Sequence, residues 1–531
     1  MSNRSQLPVA LCSASALFLA VAAGIPAQAQ TPQYGGTAIF TMTGDPITFN
    51  PSVQTNVADE QVGCIIYPSL IQFTDQYVVH PYLAKSWTIS PDGLTYTFLL
   101  NKAEWHDGKP FTSDDVKYTI EEVSTKLSSV FRRAGEAIAK VEAPEPDKVV
   151  ITLKQGFGPF LVSLGCEQGA AMLPAHLFRG TDPLKNPATL TDPVGTGAFK
   201  FQEWKRGQYV RLVKNPKYFE SGKPYLDEVV AKVIPQASAR TAALQAGEVD
   251  FTRGVATNDL ASIRANPKLT IMDDAIAPSM APLFFNIKKK PLDDKRVRQA
   301  LFMAMDSDYI IKNAYFGDGT PGVQPLSARV AWTREPSIDY NKMYPYNPAK
   351  ANALLDEAGV KRGADGKRFK VSIMPIQGYP EFEQVSVALK SMWGEVGVDV
   401  VIENLDTPTF LQRVYTDANF DVSINGYGTY GDPALGQTRM WAQALIGKPY
   451  GNASGYSNPK VEELFTQAER ATAHAERAKF YSEAQKIVAE DLPVIDLRDY
   501  QAQTGINKKL HGVLGTYLSS MGTWYSAWLE K

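Results

Sequence analysis

The chain has 531 residues, of which 44% are hydrophobic and 21% are charged, and its formal net charge at pH 7 is −2. This composition is ordinary for a water-soluble globular protein, and the length exceeds what one hydrophobic core usually organises, so two or more lobes are expected. The near-neutral charge gives no electrostatic reason to expect nucleic acid or an anionic membrane as a partner.

The N-terminal segment has the pattern of an export signal. Arg4 precedes a mostly apolar run from Leu11 to Ile25, and Ala27-Gln28-Ala29 follows, which fits the small-residue rule for signal-peptide cleavage. The run is interrupted by polar residues and is shorter than the roughly 20 apolar residues that a membrane-spanning helix needs. The sequence therefore predicts a cleaved signal peptide over residues 1–29 and an exported protein.

Removal of that peptide leaves two cysteines, Cys64 and Cys166. Export to an oxidising compartment makes a disulfide between them possible. Both residues lie in apolar surroundings, so two buried free thiols are the alternative. The sequence leaves both readings open.

Hydrophobic periodicity and turn signals predict the elements of the first part of the chain. A strand and turn are expected over Gly35–Phe49 and a helix over Asp59–Leu70. Strands at Leu83–Ile89 and Thr95–Leu100 form a hairpin because a Ser-Pro-Asp-Gly turn joins them. Thr112 or Ser113 caps the next helix.

The later elements continue to alternate between strands and helices. The predicted elements are strands at Phe199–Glu203, Tyr209–Lys214 and Phe369–Ile373, and helices at Ala237–Ala246, Arg296–Met305 and Pro348–Ala358. Because helices and strands alternate without an internal repeat, an α/β architecture with two lobes is predicted.

Several of these segments, in the same order, resemble one known family. Residues 83–120, which read LAKSWTISPDGLTYTFLLNKAEWHDGKPFTSDDVKYTI, look like the hallmark segment of the periplasmic solute-binding proteins of peptide, dipeptide and nickel ABC importers, solute-binding family 5. Residues 194–219, 224–251, 283–306 and 455–468 resemble the family's successive later blocks. Many blocks in order are a stronger signal than any single motif.

The resemblance implies a two-lobed periplasmic-binding-protein fold of type II, in the large peptide-binding subclass, with an extra subdomain in the N-terminal lobe. The implied divisions are residues 30–68, 191–285 and 502–531 for the first lobe, 69–190 for the extra subdomain and 286–501 for the second lobe. The chain would cross between lobes near Phe285 and near Gln501. The implied protein is a monomer that binds a small molecule or peptide and delivers it to ABC permease subunits of the inner membrane.

Residue patterns that carry chemistry are missing from the sequence. None of the five histidines stands at the i, i+4 spacing of a helical metal-ligand pair, and no G-x-S-x-G, H-E-x-x-H or phosphate-binding loop is present. We therefore expect no enzymatic activity, no metal and no cofactor. A secreted hydrolase, and a chaperone or sensor on the same scaffold, are the alternatives from other classes.

The segment from Phe420 to Pro433 is the best candidate for contact with a ligand. Its first residues alternate in the manner of a half-buried strand, and a loop of glycines and tyrosines follows. Gly428 lets another molecule approach the main chain, and Tyr427 and Tyr430 offer flat apolar surface with a polar tip. Three of the glycines spell G-x-G-x-x-G, but no helix begins within them, so a dinucleotide site is not predicted. A plain structural turn remains the alternative.

Two more side chains close to this loop in sequence are candidates. Arg439 offers a planar fork for a carboxylate or phosphate, and Trp441 offers aromatic surface. A surface ion pair is the alternative for Arg439. Within the resembling family, Thr55, Asn56 and Val57 correspond to the segment against which an extended peptide lies by strand addition. An ordinary loop is the alternative there.

The sequence departs from the family at Thr429. Peptide-binding relatives carry there an aspartate that captures the ligand's α-ammonium, and the charge-assisted bond is worth roughly 1.5 to 3 kcal/mol. Threonine cannot supply that charge, and Asp432 is the candidate substitute. A peptide or peptide-like solute is the predicted ligand, and an opine-like or other acidic solute, an oligosaccharide or a metal chelate is the alternative.

We expect the exported protein to begin at or near Gln30, because the cleavage pattern ends at Ala29. Mass spectrometry of protein recovered from the periplasm measures this directly. An intact Met1, or recovery only with the membrane fraction, would contradict the assignment.

Overall fold

The computed structural model describes residues 31–53, 57–73, 78–272, 278–377, 379–501, 503–513 and 524–531, so the predicted signal peptide lies outside the described residues. The strands are β1 (Thr37–Met42), β2 (Ile71–Phe73), β3 (Val79–Pro81), β4 (Ala84–Ile89), β5 (Thr95–Leu100), β6 (Ile138–Glu145), β7 (Lys148–Leu153), β8 (Phe199–Lys205), β9 (Tyr209–Lys214), β10 (Glu228–Val233), β11 (Phe251–Arg253), β12 (Leu269–Met272), β13 (Pro278–Phe285), β14 (Phe369–Pro375), β15 (Val398–Ile402), β16 (Val422–Ile424), β17 (Tyr427–Gly428), β18 (Val494–Gln501), β19 (Thr504–Asn507), β20 (Leu510–His511) and β21 (Trp528–Leu529).

Helices lie between most of these strands. They are α1 (Val57–Ile66), α2 (Ser113–Tyr118), α3 (Thr125–Leu127), α4 (Arg132–Ala137), α5 (Phe160–Ser163), α6 (Ala175–Phe178), α7 (Pro187–Leu190), α8 (Ala237–Ala246), α9 (Leu260–Ala265), α10 (Lys295–Met303), α11 (Ser307–Asn313), α12 (Tyr340–Met343), α13 (Pro348–Glu357), α14 (Pro380–Glu395), α15 (Thr407–Leu411), α16 (Pro433–Gly436), α17 (Pro459–Arg470) and α18 (His474–Asp491). In the described part of the chain, none of them has the length and apolar character needed to cross a membrane.

The local signals in the sequence explain where several helices begin and end. Thr112 is the N-cap of α2, in a capping box with Asp115. Asp294 caps α10 by accepting a hydrogen bond from the Arg296 amide at 2.9 Å. Gly247 ends α8 with φ +74, a left-handed conformation that glycine adopts at little cost.

The first lobe is built on a seven-stranded mixed sheet with the order β12-β19-β11-β1-β10-β9-β8. β1 is parallel to both of its neighbours, β10 and β11. It is central and therefore contributes Ala38, Phe40 and Met42 to the core, each with no exposed surface.

A separate antiparallel sheet, β4-β5-β7-β6, forms within residues 84–153 and includes the predicted hairpin of β4 and β5. It lies inside the range expected for an extra subdomain, but its buried residues belong to the same hydrophobic cluster as those of the first-lobe sheet. A disulfide joins Cys64 of α1 to Cys166, with their Cα atoms 5.8 Å apart, so the open question is settled in favour of the bond.

The second lobe is built on a six-stranded sheet with the order β15-β14-β16-β13-β17, in which β18 also pairs with β13. It has its own hydrophobic cluster. Among the described residues, β13 pairs only with strands of this sheet, which therefore includes the residues from Pro278 to Phe285. The lobe crossing near Phe285 stays a prediction. β18 ends at Gln501 in this sheet and β19 begins at Thr504 in the first sheet.

Candidate functional site

The glycine- and tyrosine-rich loop is attached to the strand that enters the second lobe. β16 ends at Ile424, and the loop then pairs with β13 through Tyr427 and Gly428, which lie opposite Met280 and Ser279. The loop is therefore held by main-chain bonds to the strand adjacent to the interlobe crossing.

Tyr427 forms a buried floor beneath this loop. The side chain is 2% exposed. Its hydroxyl lies 2.8 Å from that of Tyr415 and donates a hydrogen bond to the Gly451 carbonyl at 3.2 Å. Burial, with the neighbouring Tyr415 as a smaller cause, raises the pKa of Tyr427 well above its usual range, so this hydroxyl stays neutral.

Arg439 stacks on this aromatic floor. Its guanidinium carbon lies 4.6 Å from the ring centre of Tyr427 and 5.7 Å from that of Tyr430. Within the described residues it makes no ion pair and donates no side-chain hydrogen bond, and its buried Nε has no partner. The aromatic faces position the cation and leave its donors available.

Tyr430 is the strained residue of the loop. It is half-buried and adopts φ +50, a left-handed conformation that is uncommon for a bulky side chain. Gly431 follows it with φ +74. The loop therefore turns sharply at these two residues, and such backbone strain is concentrated at functional sites.

Asp432 has a structural role in place of the ligand-binding role that we expected. It caps α16 by accepting a hydrogen bond from the Ala434 amide at 2.9 Å. Its carboxylate also binds Arg477 of α18 through two bonds of 2.5 and 2.7 Å, and both side chains are fully buried. Arg477 in turn donates to the Ala468 carbonyl at 2.7 Å. The Asp432 charge is already paired and cannot replace the missing aspartate at Thr429.

Thr429 and Trp441 also lie inside the second lobe and not on its surface. Thr429 has no exposed surface, and its Oγ1 has no hydrogen-bond partner in the described part of the chain. The side chain of Trp441 is 1% exposed and packs 6.3 Å from the ring centre of Phe465. Direct contact with a ligand, as we expected for both, would need these side chains to be uncovered.

Of the three candidates in the first lobe, only Val57 lies within the described residues. Val57 is the first residue of α1 and is 40% exposed. Thr55 and Asn56 lie outside the described residues.

Tyr379 is a candidate that sequence reasoning missed. It precedes α14, is 41% exposed and stacks on Phe382 with ring centres 4.9 Å apart. A Cβ atom at Gly426 would lie 3.7 Å from the Tyr379 ring, so this aromatic residue borders the loop. The two positions are far apart in sequence, and no local motif links them.

Tyr379 also helps to line a cavity of about 280 Å³ between the lobes. The first lobe contributes Ala237 and residues 255–258, and the second contributes Phe316 and residues 379–381 and 384. Residues from both lobes therefore enclose one space, as the binding site of a two-lobed protein requires.

Known proteins share this architecture. The oligopeptide-binding protein AppA of Bacillus subtilis is 31% identical over 479 residues, which cover 87% of this chain and 86% of that protein. Its structure in complex with a nonapeptide superposes with a TM-score of 0.77 over 94% of this chain and 100% of that chain, at 29% identity.

Two further solved structures superpose over the whole architecture. DppA of Helicobacter pylori, in complex with peptide STSA, is 26% identical with a TM-score of 0.75 over 94% of this chain and 99% of that chain. AgaA of A. tumefaciens R10, in complex with agropinic acid, is 25% identical with a TM-score of 0.75 over 93% and 99%.

The fold and the cleft define a two-lobed solute-binding protein. Residues 78–446 match the family model described as bacterial extracellular solute-binding proteins, family 5, middle region. The chain belongs to that family, whose members are binding proteins located outside the cytoplasm.

Breaking the buried ion pair should cost much more stability than removing the arginine that stacks on the loop. We expect Asp432→Asn to lower the free energy of unfolding by about 3–5 kcal/mol, because Arg477 is left buried and uncompensated. Arg439→Met should change it by less than about 1 kcal/mol, since only a cation–π contact is lost. Urea unfolding measures both, and an equal loss in the two variants would contradict the assignment.

Proposed function

We propose that this protein is the substrate-binding subunit of an ABC importer, which captures a peptide or peptide-like solute between its lobes in the periplasm and delivers it to the permease. It acts as a monomer after removal of its signal peptide, carries out no reaction and needs no cofactor. Membership of a family whose relatives include an oligopeptide-binding protein matched over 87% of this chain is the observation that carries the proposal.

The cleft supports this function physically. The lobes are joined by the neighbouring strands β13 and β18, so they can rotate about this pair without disturbing either hydrophobic cluster. Contacts that a ligand makes with both walls exist only when the lobes are closed, and those contacts drive the closure.

A second candidate ligand is an acidic solute that is not a peptide. Arg439 supplies an available cation, and Asp432 is occupied by Arg477, so the second-lobe loop is better suited to a carboxylate than to an ammonium group. The structure of AgaA with agropinic acid shows that this architecture accommodates an acid.

Binding should make the molecule more compact. We expect the tetrapeptide Ser-Thr-Ser-Ala, added at 100 times its dissociation constant, to raise the free energy of unfolding by about 2.7 kcal/mol. It should also reduce the radius of gyration measured by small-angle X-ray scattering. A peptide that binds without any change in the radius of gyration would argue against capture by lobe closure.

Arg439 should anchor an acidic group of the ligand. We expect Arg439→Met to weaken binding of Ser-Thr-Ser-Ala by about 10- to 150-fold, because a carboxylate loses a charge-assisted partner. The same substitution should barely affect the C-terminally amidated peptide, which is the matched control. Isothermal titration calorimetry measures both affinities, and equal losses for the two peptides would contradict the role.

A further inference from the structure

The first turn of α1 places polar side chains where the central strands of the first sheet end. Gln61 donates a hydrogen bond to the carbonyl of Thr41, the penultimate residue of β1, at 3.4 Å. The hydroxyl of Thr41 lies 2.6 Å from that of Thr252 in β11. In α/β sheets, ligands bind outside the carboxyl ends of parallel strands, at the point where connections leave in opposite directions. β1 is parallel to β10 on one side and to β11 on the other, so the first turn of α1 lies at the carboxyl end of parallel strands.

The disulfide brings a second acidic residue to this turn. Glu60 and Cys64 are four residues apart on α1 and therefore share one face of the helix. Cys64 is bonded to Cys166, and Glu167 is the next residue. Gly165 makes room for it, because a Cβ atom there would lie 2.8 Å from Glu167 Oε1. Two carboxyl groups that are far apart in sequence thus meet beside the disulfide.

Several buried polar atoms in these two turns have no hydrogen-bond partner among the described residues. Glu167 is 9% exposed and its Oε1 is one of them. The others are Gln168 Nε2, Gln61 Oε1 and Asp59 Oδ2, on side chains that are at most 2% exposed. Buried polar atoms are nearly always paired, so a concentration of unpaired ones indicates a polar group that the described residues do not supply.

The carboxyl groups of this cluster resist ionisation when no cation is bound. Burial, reinforced by the charge of Glu167, raises the pKa of Glu60 to about 8, and burial raises the pKa of Glu167 to about 8. Burial also raises the pKa of Asp59 to about 6. Arg253, at the end of β11, is the cation that opposes these effects on Glu60. Arg253 is the last residue of β11, and Val255, two residues further on, lines the cavity between the lobes, so this end of the strand lies beside the cleft.

We propose that Glu60 and Glu167 form a subsite on the first-lobe wall of the cleft for a cationic group of the ligand, an ammonium or a guanidinium. This inference rests on the proposed function and adds to it the orientation in which the ligand binds between the lobes. The second lobe has Thr429 in place of an aspartate and presents Arg439, so it receives the acidic end. The opposite wall receives the cationic end, and a zwitterionic ligand therefore spans the two lobes.

Protonation gives the subsite a signature that a purely structural carboxyl pair lacks. Near pH 7 the empty pair holds protons, because its pKa values lie above that pH. A bound cation favours the ionised carboxylates, so binding releases protons. Calorimetric titrations at pH 7 in phosphate and in Tris, whose ionisation enthalpies differ, count the protons released.

The test compares three peptides: Ser-Thr-Ser-Ala, its N-acetylated form, and N-acetyl-Lys-Thr-Ser-Ala. We expect the wild-type protein to bind the free-amine peptide at least about tenfold more tightly than the acetylated one, and to release protons only with the former. Glu60→Gln and Glu167→Gln, each tested separately, should reduce that preference to about twofold. If N-acetyl-Lys-Thr-Ser-Ala binds more tightly than N-acetyl-Ser-Thr-Ser-Ala, the subsite receives a cationic side chain of the ligand. If the two acetylated peptides bind equally weakly, the subsite receives the α-ammonium group of the peptide.

A remote variant and a stability measurement separate binding from folding. Glu142→Gln, on an exposed strand residue that pairs with Lys140, should leave the amine preference unchanged. The folded protein holds protons that the unfolded chain loses as pH rises from about 5 to 8, so thermal stability should fall over that window and fall less in either Gln variant.

The outcomes are distinguishable. Equal binding of the free and acetylated peptides by the wild-type protein, or a preference that survives in both Gln variants, overturns the cation subsite and leaves the peptide-binding function standing. A wild-type protein that binds none of the three peptides overturns the proposed peptide ligand, and with it the subsite.

Discussion

The antiparallel pairing of β13 with β18 is the constraint on which the rest of the structure depends. These strands are the described elements next to both chain crossings, and they lie side by side in the second-lobe sheet. A bulge interrupts their register between Met280 and Pro282, where the Ala281 amide donates to the Asp496 carboxyl at 2.9 Å. A side chain thus satisfies the main chain where the pairing of β13 with β18 is irregular.

The position of the candidate loop also depends on β13. Tyr427 and Gly428 pair with β13, so the aromatic floor lies close to the axis about which the lobes are joined. A ligand that contacts Arg439 above this floor would therefore act near the hinge strands. The buried ion pair of Asp432 with Arg477 fixes the C-terminal end of the loop. The negative charge of Asp432 is therefore already paired. Arg439 lies beyond the loop in sequence, and its guanidinium stacks on Tyr427 and Tyr430.

In the proposed arrangement, the two walls of the cleft offer a ligand different groups. We propose that the second-lobe wall offers Arg439, which stacks over two tyrosine rings, and that the first-lobe wall offers Glu60 and Glu167 beside the disulfide. Complementary charges of this kind give a binding protein orientation and specificity more than raw affinity. The disulfide would support this arrangement by keeping Glu167 next to α1 whether or not a ligand is bound.

Much of the local structure follows from the sequence by itself. The β4 and β5 hairpin, the Thr112 cap of α2, the end of α8 at Gly247 and the strand before the loop all depend on neighbouring residues, and short-range patterns determine them. The ordered series of family segments added the two-lobed fold and the class of function. Tertiary structure alone decided which side chains face the cleft. Asp432 binds Arg477, which is 45 residues away, and Trp441 packs into the core. Glu167 lies beside α1, to which its neighbour Cys166 is joined by a disulfide that spans 102 residues. Such long-range pairings leave no periodic trace in a sequence, because burial and ion pairing depend on which distant segments the fold brings together.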